Sequence, residues 1–155
     1  MITAIFALAQ NNLFGSKNGL PWYISDDLKH FKETTLNSCV IMGYNTWKTL
    51  QKPLNNRFSI VLTSQKFGIH DNVYFLNSMD LACQIGYILY ERIFLIGGSR
   101  LISDNLHHID QLIITHIDMD FDGSIYLNID LDSWCCIHKK KLNSYCVVKY
   151  YMRFQ

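Results

Sequence analysis

The sequence predicts an α/β fold on a mixed sheet, and three observations lead there. Short runs rich in Val, Ile, Phe and Tyr recur along the chain, and several are apolar at consecutive positions, as strands covered on both faces must be. Helix-like stretches fall between these runs. Near the end, two strand-like runs are separated only by a turn, so they must pair as an antiparallel hairpin.

Residues 2–9 are the first expected strand. They are apolar without a basic leader or a small-residue cleavage site, so they read as a buried strand rather than a signal peptide, and the protein is expected in the cytoplasm. The next strands are expected at 39–42, 58–62, 73–76, 93–96 and 112–117, and the final hairpin at 134–139 and 146–154. Helices are expected at 26–35, 46–50, 80–89 and 101–106. The first is read as capped by Ser25, with Asp26 and Asp27 in the first turn, where the macrodipole favours negative charge. No repeat, Pro/Ser-rich linker or low-complexity tract marks a boundary, so residues 1–155 are expected to form one domain.

Composition narrows the chemistry. With 49% hydrophobic residues in 155, a core can form without metal or disulfide staples, yet the apolar runs end well before a membrane-spanning length. A net charge of +1 offers nucleic acid no general attraction, and the basic run Lys139-Lys140-Lys141 reads as a solvated turn. The five cysteines form no C-x-x-C pair and read as reduced structural thiols. His107 and His108 are adjacent rather than one helical turn apart, and no H-E-x-x-H or G-x-S-x-G motif occurs, so no metal site is expected. His116, in an apolar strand, reads as a core imidazole with a hydrogen-bond partner.

Candidate chemistry gathers in a few places. Asp27, Phe31 and Thr35 recur at i, i+4 and i+8, which puts a carboxylate on one stripe with an aromatic ring and near Leu28. First-turn capping alone also accounts for an acid there. Two strand-to-helix junctions, Val40-Ile41-Met42-Gly43-Tyr44-Asn45-Thr46-Trp47 and Phe94-Leu95-Ile96-Gly97-Gly98-Ser99-Arg100, place glycine where a dinucleotide phosphate approaches backbone N–H groups. Neither is a full G-x-G-x-x-G fingerprint, but both would emerge at the carboxyl ends of parallel strands, where such sheets bind ligands. Thr63 and Ser64 follow a strand and offer hydroxyls to a phosphate, or simply begin a polar loop. Arg57 is either a fork for a carboxylate or a surface cation.

Taken in order, these residues resemble the bacterial-type dihydrofolate reductases along essentially the whole chain. The resemblance lies in Ala7-Leu8-Ala9, Phe14-Gly15, Leu20-Pro21-Trp22, Asp27-Leu28, Phe31-Lys32 and Thr35. It continues through Val40-Ile41-Met42-Gly43, Thr46-Trp47, Pro53-Leu54, Arg57, Leu62-Thr63-Ser64, Ile96-Gly97-Gly98 and Thr115-His116-Ile117. It implies a twisted, mainly parallel sheet with an antiparallel C-terminal strand, and NADPH-dependent reduction of dihydrofolate to tetrahydrofolate. It also implies a cis Gly97–Gly98 peptide, a monomer and inhibition by antifolates.

Residue roles follow from the resemblance in the same way. Asp27 would bind the pterin, Thr115 would assist through water, and Leu20 and Trp22 would belong to the closing loop. Ile5, Leu28, Phe31, Leu50 and Leu54 would wall the substrate pocket, with Arg57 and Lys52 toward the glutamate carboxylate. The cofactor set would be Ala7, Phe14, Gly15, Asn18, Leu20, Asn45, Thr46, Thr63, Ser64, Gly97, Gly98, Ser99, Arg100 and Ile102. Three positions depart from the pattern. Tyr44 replaces a basic residue near the 2′-phosphate, Ile102 replaces a tyrosine beside the nicotinamide, and Ser124 replaces an acid that ties the loop at 118–132 to the active-site loop. The alternatives are a related pterin or riboflavin-pathway reductase, or a non-catalytic folate- or dinucleotide-binding module. Asp27 with Phe31 and Arg57 argues against the first, and Asp27 with Trp22 and Thr115 against the second.

Overall fold

A computed structural model describes residues 1–65, 68–70 and 72–154. Parallel-paired strands that rise from the apolar runs form its centre, among them β1 (Ile2–Leu8), β3 (Cys39–Gly43), β4 (Phe58–Leu62), β6 (Val73–Leu76) and β7 (Ile93–Gly97). Together with β5 (Gly68–His70), β8 (Gln111–Ile117), β10 (Trp134–Asn143) and β11 (Cys146–Arg153), they make a nine-stranded sheet in the order β10-β11-β8-β1-β7-β3-β4-β6-β5. All pairs from β8 through β6 are parallel. The β10–β11 hairpin, the β11–β8 pair and the β5–β6 pair are antiparallel. The mixed, mainly parallel sheet is the one expected.

The consecutive apolar positions have their anticipated cause. Ile41, Ile60 and Leu95 have no exposed surface, and neither does Val40 or Val61 on the alternate faces of their strands. Each such side chain stabilises the fold by about 1.5–3 kcal/mol relative to exposure. Four helices cover the sheet, α1 (Ser25–Thr35), α2 (Tyr44–Leu50), α3 (Met79–Leu89) and α4 (Ser99–Asp104). Two short strands, β2 (Leu13–Gly15) and β9 (Ile125–Tyr126), pair separately and join the loop after β1 to the loop after β8.

Some expectations need correction. Ser25 is the first residue of α1 rather than its cap. Ile24 holds the extended cap position, and no side chain caps the helix. Lys139–Lys141 are not a turn but an exposed run of the edge strand β10, where lysines keep unpaired backbone from joining another sheet. β2, β5 and β9 were not foreseen, because two or three residues carry too little alternation to register as strands. The surface also carries an apolar stripe that was not anticipated, since α3 turns Leu81 and Ile88 outward at i and i+7, with Tyr87 and Leu89 beside them. All five cysteines are free. Among the described residues no helix is long and apolar enough to cross a membrane.

Candidate active site

α1 lies with one stripe against the sheet, and that stripe is the Asp27, Phe31, Thr35 series. Asp27 and Thr35 are buried, and Phe31 is half-buried. Asp27, 8% exposed, meets Thr115 of β8, and the Thr115 side chain hydrogen-bonds the carboxyl group. Burial pushes the Asp27 carboxyl above its ordinary value by disfavouring the charged form, and the Thr115 hydrogen bond partly opposes the rise. Ala7 is level with Thr115 on the neighbouring strand, which brings β1 to the same place.

Trp22 closes one side. It is buried against the Phe121 ring, with centroids 5.4 Å apart, and its indole N–H is enclosed without a protein partner. A buried donor of that kind suits an ordered water or a ligand acceptor. Along α1 from Asp27, the Arg57 guanidinium lies 5.9 Å from the centre of the Phe31 ring. It donates from Nε to the Asn55 carbonyl (2.9 Å) and from Nη1 to the Thr35 hydroxyl (3.2 Å). These contacts orient the fork while its other N–H groups stay available to a carboxylate. Ile5, Phe31, Leu50 and Leu54 pack into one apolar cluster, as a substrate wall requires. Leu28 and Lys52 are exposed and stand outside it.

The two glycine junctions adjoin because β3 and β7 are neighbours. A Cβ on Gly43 would come within 3.7 Å of the Gly98 nitrogen, and one on Gly97 within 3.2 Å of Thr46 Oγ1 and 3.7 Å of Phe14 Cζ. Gly97 has φ of +146°, and its peptide to Gly98 is cis. A side chain at Gly97 would therefore be both strained and obstructed. Gly43 and Gly98 are the cap residues of α2 and α4, and neither helix start has a side-chain cap. The first-turn N–H groups of two helices thus start beside glycines whose missing Cβ atoms leave room for close approach of a dinucleotide pyrophosphate, with Thr46 and Phe14 at the side.

The remaining expected cofactor residues divide. Gly15 is buried in β2, and the turn after it closes through Ser16 N–H to the Gly19 carbonyl (2.9 Å). A Cβ on Gly19 would lie 3.5 Å from Thr49 Cβ, so this loop rests on α2 with Asn18 and Leu20 exposed. Ser99 opens α4, and Asn45 is exposed in the first turn of α2. Thr63 is half-buried and accepts from the Gln65 N–H (3.2 Å), while Ser64 is exposed. Arg100 is 94% exposed and pairs with Asp104 one turn along α4 (3.5 Å). Ile102, expected beside the nicotinamide, instead has no exposed surface and packs into the core, since it lies on the face of α4 that covers the sheet.

The loop tie expected from position 124 is made by other groups. Leu13 pairs with Tyr126 and Gly15 with Ile125, while Asn12 Nδ2 donates to Asn128 Oδ1 (2.8 Å). The Leu127 N–H donates to the Asn12 carbonyl (3.0 Å).

The fold and this site match known proteins. The family model for dihydrofolate reductase matches residues 1–155. The chain belongs to the dihydrofolate reductase family. A dihydrofolate reductase of Buchnera aphidicola subsp. Baizongia pistaciae is 40% identical over 142 residues, 91% of this chain and 86% of that protein. One from Ureaplasma parvum serovar 3 is 34% identical over 152 residues, 97% and 96% of the two chains. Among solved structures, a dihydrofolate reductase from Enterococcus faecalis complexed with NADP(H) superposes with a TM-score of 0.88 at 26% identity, covering 100% of this chain and 97% of that one.

Within this dihydrofolate reductase fold, sequence reasoning missed three residues around the site. The buried Cys146 thiol is pushed up by desolvation and by the nearby Asp27. Asn143 Nδ2 donates to Asp26 Oδ2 (2.9 Å), which ties the hairpin to the start of α1. Phe121 supports Trp22. No local signal marks them, since each reaches the site only through the pairing of β10 and β11 with the sheet or the path of a loop.

Proposed function

We infer that this chain reduces 7,8-dihydrofolate to 5,6,7,8-tetrahydrofolate, adding hydride at C6 and a proton at N5. The observation that carries the reading is the buried Asp27–Thr115 pair, two strands from the Gly97–Gly98 turn in the same parallel sheet. Bound NADPH supplies the hydride. Gly97, Gly98, Ser99, Asn45 and Thr46 are the residues for its pyrophosphate, and Thr63 and Ser64 for its adenosine end. Ala7, Phe14, Gly15, Asn18, Leu20 and Trp22 enclose the nicotinamide side.

Asp27 does its work by holding the pterin. A carboxylate accepts from the exocyclic amino group and a ring N–H at once, which fixes the ring plane and presents C6. Thr115 keeps the carboxyl oriented, and the free Trp22 N–H holds a water that shares the acid's hydrogen bonding. Ile5, Phe31, Leu50 and Leu54 exclude bulk water, with Leu28 at the mouth. Arg57, assisted by Lys52 at the rim, takes the glutamate carboxylate. N5 receives its proton through water, and Asp27, ionised in the working complex, favours that transfer electrostatically.

The reading extends to a single catalytic domain acting as a cytoplasmic monomer, with antifolates as inhibitors. The test is loss of nicotinamide absorbance when purified protein meets dihydrofolate with NADPH or NADH, beside an Asp27→Asn control. Oxidation that requires both dihydrofolate and Asp27 supports the reading. A folded protein that binds NADPH but never oxidises it with dihydrofolate refutes it.

A further inference from the structure

Asp27 acts through where its carboxylate points, and the inference rests on the reading that it holds the pterin. The turn of helix that carries it has little local support. Ile24, in the cap position of α1, offers no side-chain oxygen to the first-turn N–H groups, and Asp27 lies in that turn. An uncapped helix start frays unless something outside the helix holds it.

The end of the β10–β11 hairpin supplies that hold. Asn143, the last residue of β10, pairs with Cys146, the first of β11, and Cys146 pairs in turn with Ile117 of β8. Thr115, which hydrogen-bonds the Asp27 carboxyl, belongs to the same strand. The hairpin end is thus built on the strand that meets the acid.

Both ends of the Asn143 amide are engaged. Its Oδ1 accepts from the Tyr145 N–H (3.0 Å), which fixes the side chain across the turn, and its Nδ2 donates to Asp26 Oδ2 (2.9 Å). The buried Cys146 thiol hydrogen-bonds the same side chain and feels the charges of both Asp27 and Asp26. Both acids therefore stand at one hairpin end. Successive helical residues point about 100° apart, so Asp26 reaches out to the hairpin while Asp27 turns into the pocket. Pinning Asp26 fixes the backbone from which Asp27 projects.

We propose that Asn143 is a positioning residue for the reaction, holding the first turn of α1 by Asp26 and so fixing Asp27 against Thr115. The acid is then set from two directions, by its own hydrogen bond to β8 and by its neighbour's to the hairpin. Small displacements of a group that orients the substrate are felt in the rate.

Steady-state kinetics with dihydrofolate, beside calorimetric binding of NADPH, test this on the full chain. Asn143→Ala and Asp26→Ala should each lower kcat/KM for dihydrofolate about fivefold, the scale of one net hydrogen bond, and the double variant should lose no more than either alone. Asp26→Asn keeps an accepting oxygen and should recover most of what Asp26→Ala loses, while NADPH affinity moves by less than about twofold throughout. Unchanged kcat/KM in both alanine variants, losses that add in the double variant, or NADPH affinity that falls in step overturns the proposal while the reductase reading stands. An unaltered chain that does not turn over dihydrofolate overturns both.

Discussion

Thr115 of β8 hydrogen-bonds the carboxyl group of Asp27, and both side chains are buried. The pair places an acid with a raised pKa in an apolar pocket. Its energetics run in opposite directions for stability and for turnover. Burial raises the folded-state pKa above the unfolded value, so Asp27 favours folding when protonated, and that contribution is lost as pH rises through the folded pKa. Asp27→Asn, a neutral mimic, should therefore melt higher than the unaltered protein at neutral pH. The gap should close as pH falls toward the ordinary carboxylate value of 3.8. The same variant should lose about 100-fold or more in kcat at neutral pH. Melting curves across pH, with turnover at each, check both halves.

Arg57 is oriented by the Asn55 carbonyl, the Thr35 hydroxyl and the Phe31 ring. Lysine keeps the charge but cannot reproduce the fork. Arg57→Lys should raise KM for dihydrofolate about tenfold, the scale of a lost charged hydrogen bond, with kcat little altered. The KM rise should vanish for a pteridine substrate that lacks the glutamate. Equal losses on both substrates would place Arg57 in the structure of the pocket rather than at the carboxylate.

His30 is buried with an unpartnered Nε2. Burial, followed by the positive charge of Lys140, lowers its pKa, and Glu33 opposes this only in part. The unfolded chain takes up a proton near the ordinary value of 6.5 while the folded one resists, so stability is lost as pH falls below 6.5. His30→Leu should lose less stability between about pH 7.5 and about pH 5 than the unaltered protein. His116, shifted in the same direction by burial and Lys149, leaves a residual dependence in that variant. Identical pH dependence in denaturant titrations would remove His30 from the acid response.

Gly123 lies where the two loops cross. A Cβ there would come within 2.8 Å of the Gly15 carbonyl oxygen and 2.9 Å of Leu13 Cδ1. Gly123→Ala must push β2 from β9, at a cost of about 1–3 kcal/mol for overpacking against backbone. Because β2 leads into the loop with Leu20 and Trp22, turnover should fall with stability. Ser124→Ala should change either quantity little, since the described hydrogen-bond ties between the loops run through Gln10, Asn12, Leu13, Gly15 and their partners rather than through that hydroxyl. Denaturant midpoints and steady-state rates for the two variants decide between these ties.

Much of this protein is determined locally and was legible from residues alone. Consecutive apolar runs at 58–62 and 73–76 matched strands to the residue, because a strand covered on both faces leaves no polar alternation to blur its ends. The Asp27, Phe31, Thr35 stripe and the adjoining glycine junctions were visible for the same reason, as spacing along one helix and position at the end of one strand are local quantities. Tertiary structure alone decided the rest. Ile102 turned into the core, Arg100 paired with Asp104, Lys139–Lys141 became an edge strand, and Cys146 arrived beside Asp27. Each depends on which face of an element meets its neighbour and on pairing between distant strands. A period of 2.0 or 3.6 residues defines that a face exists, but only packing chooses what lies against it.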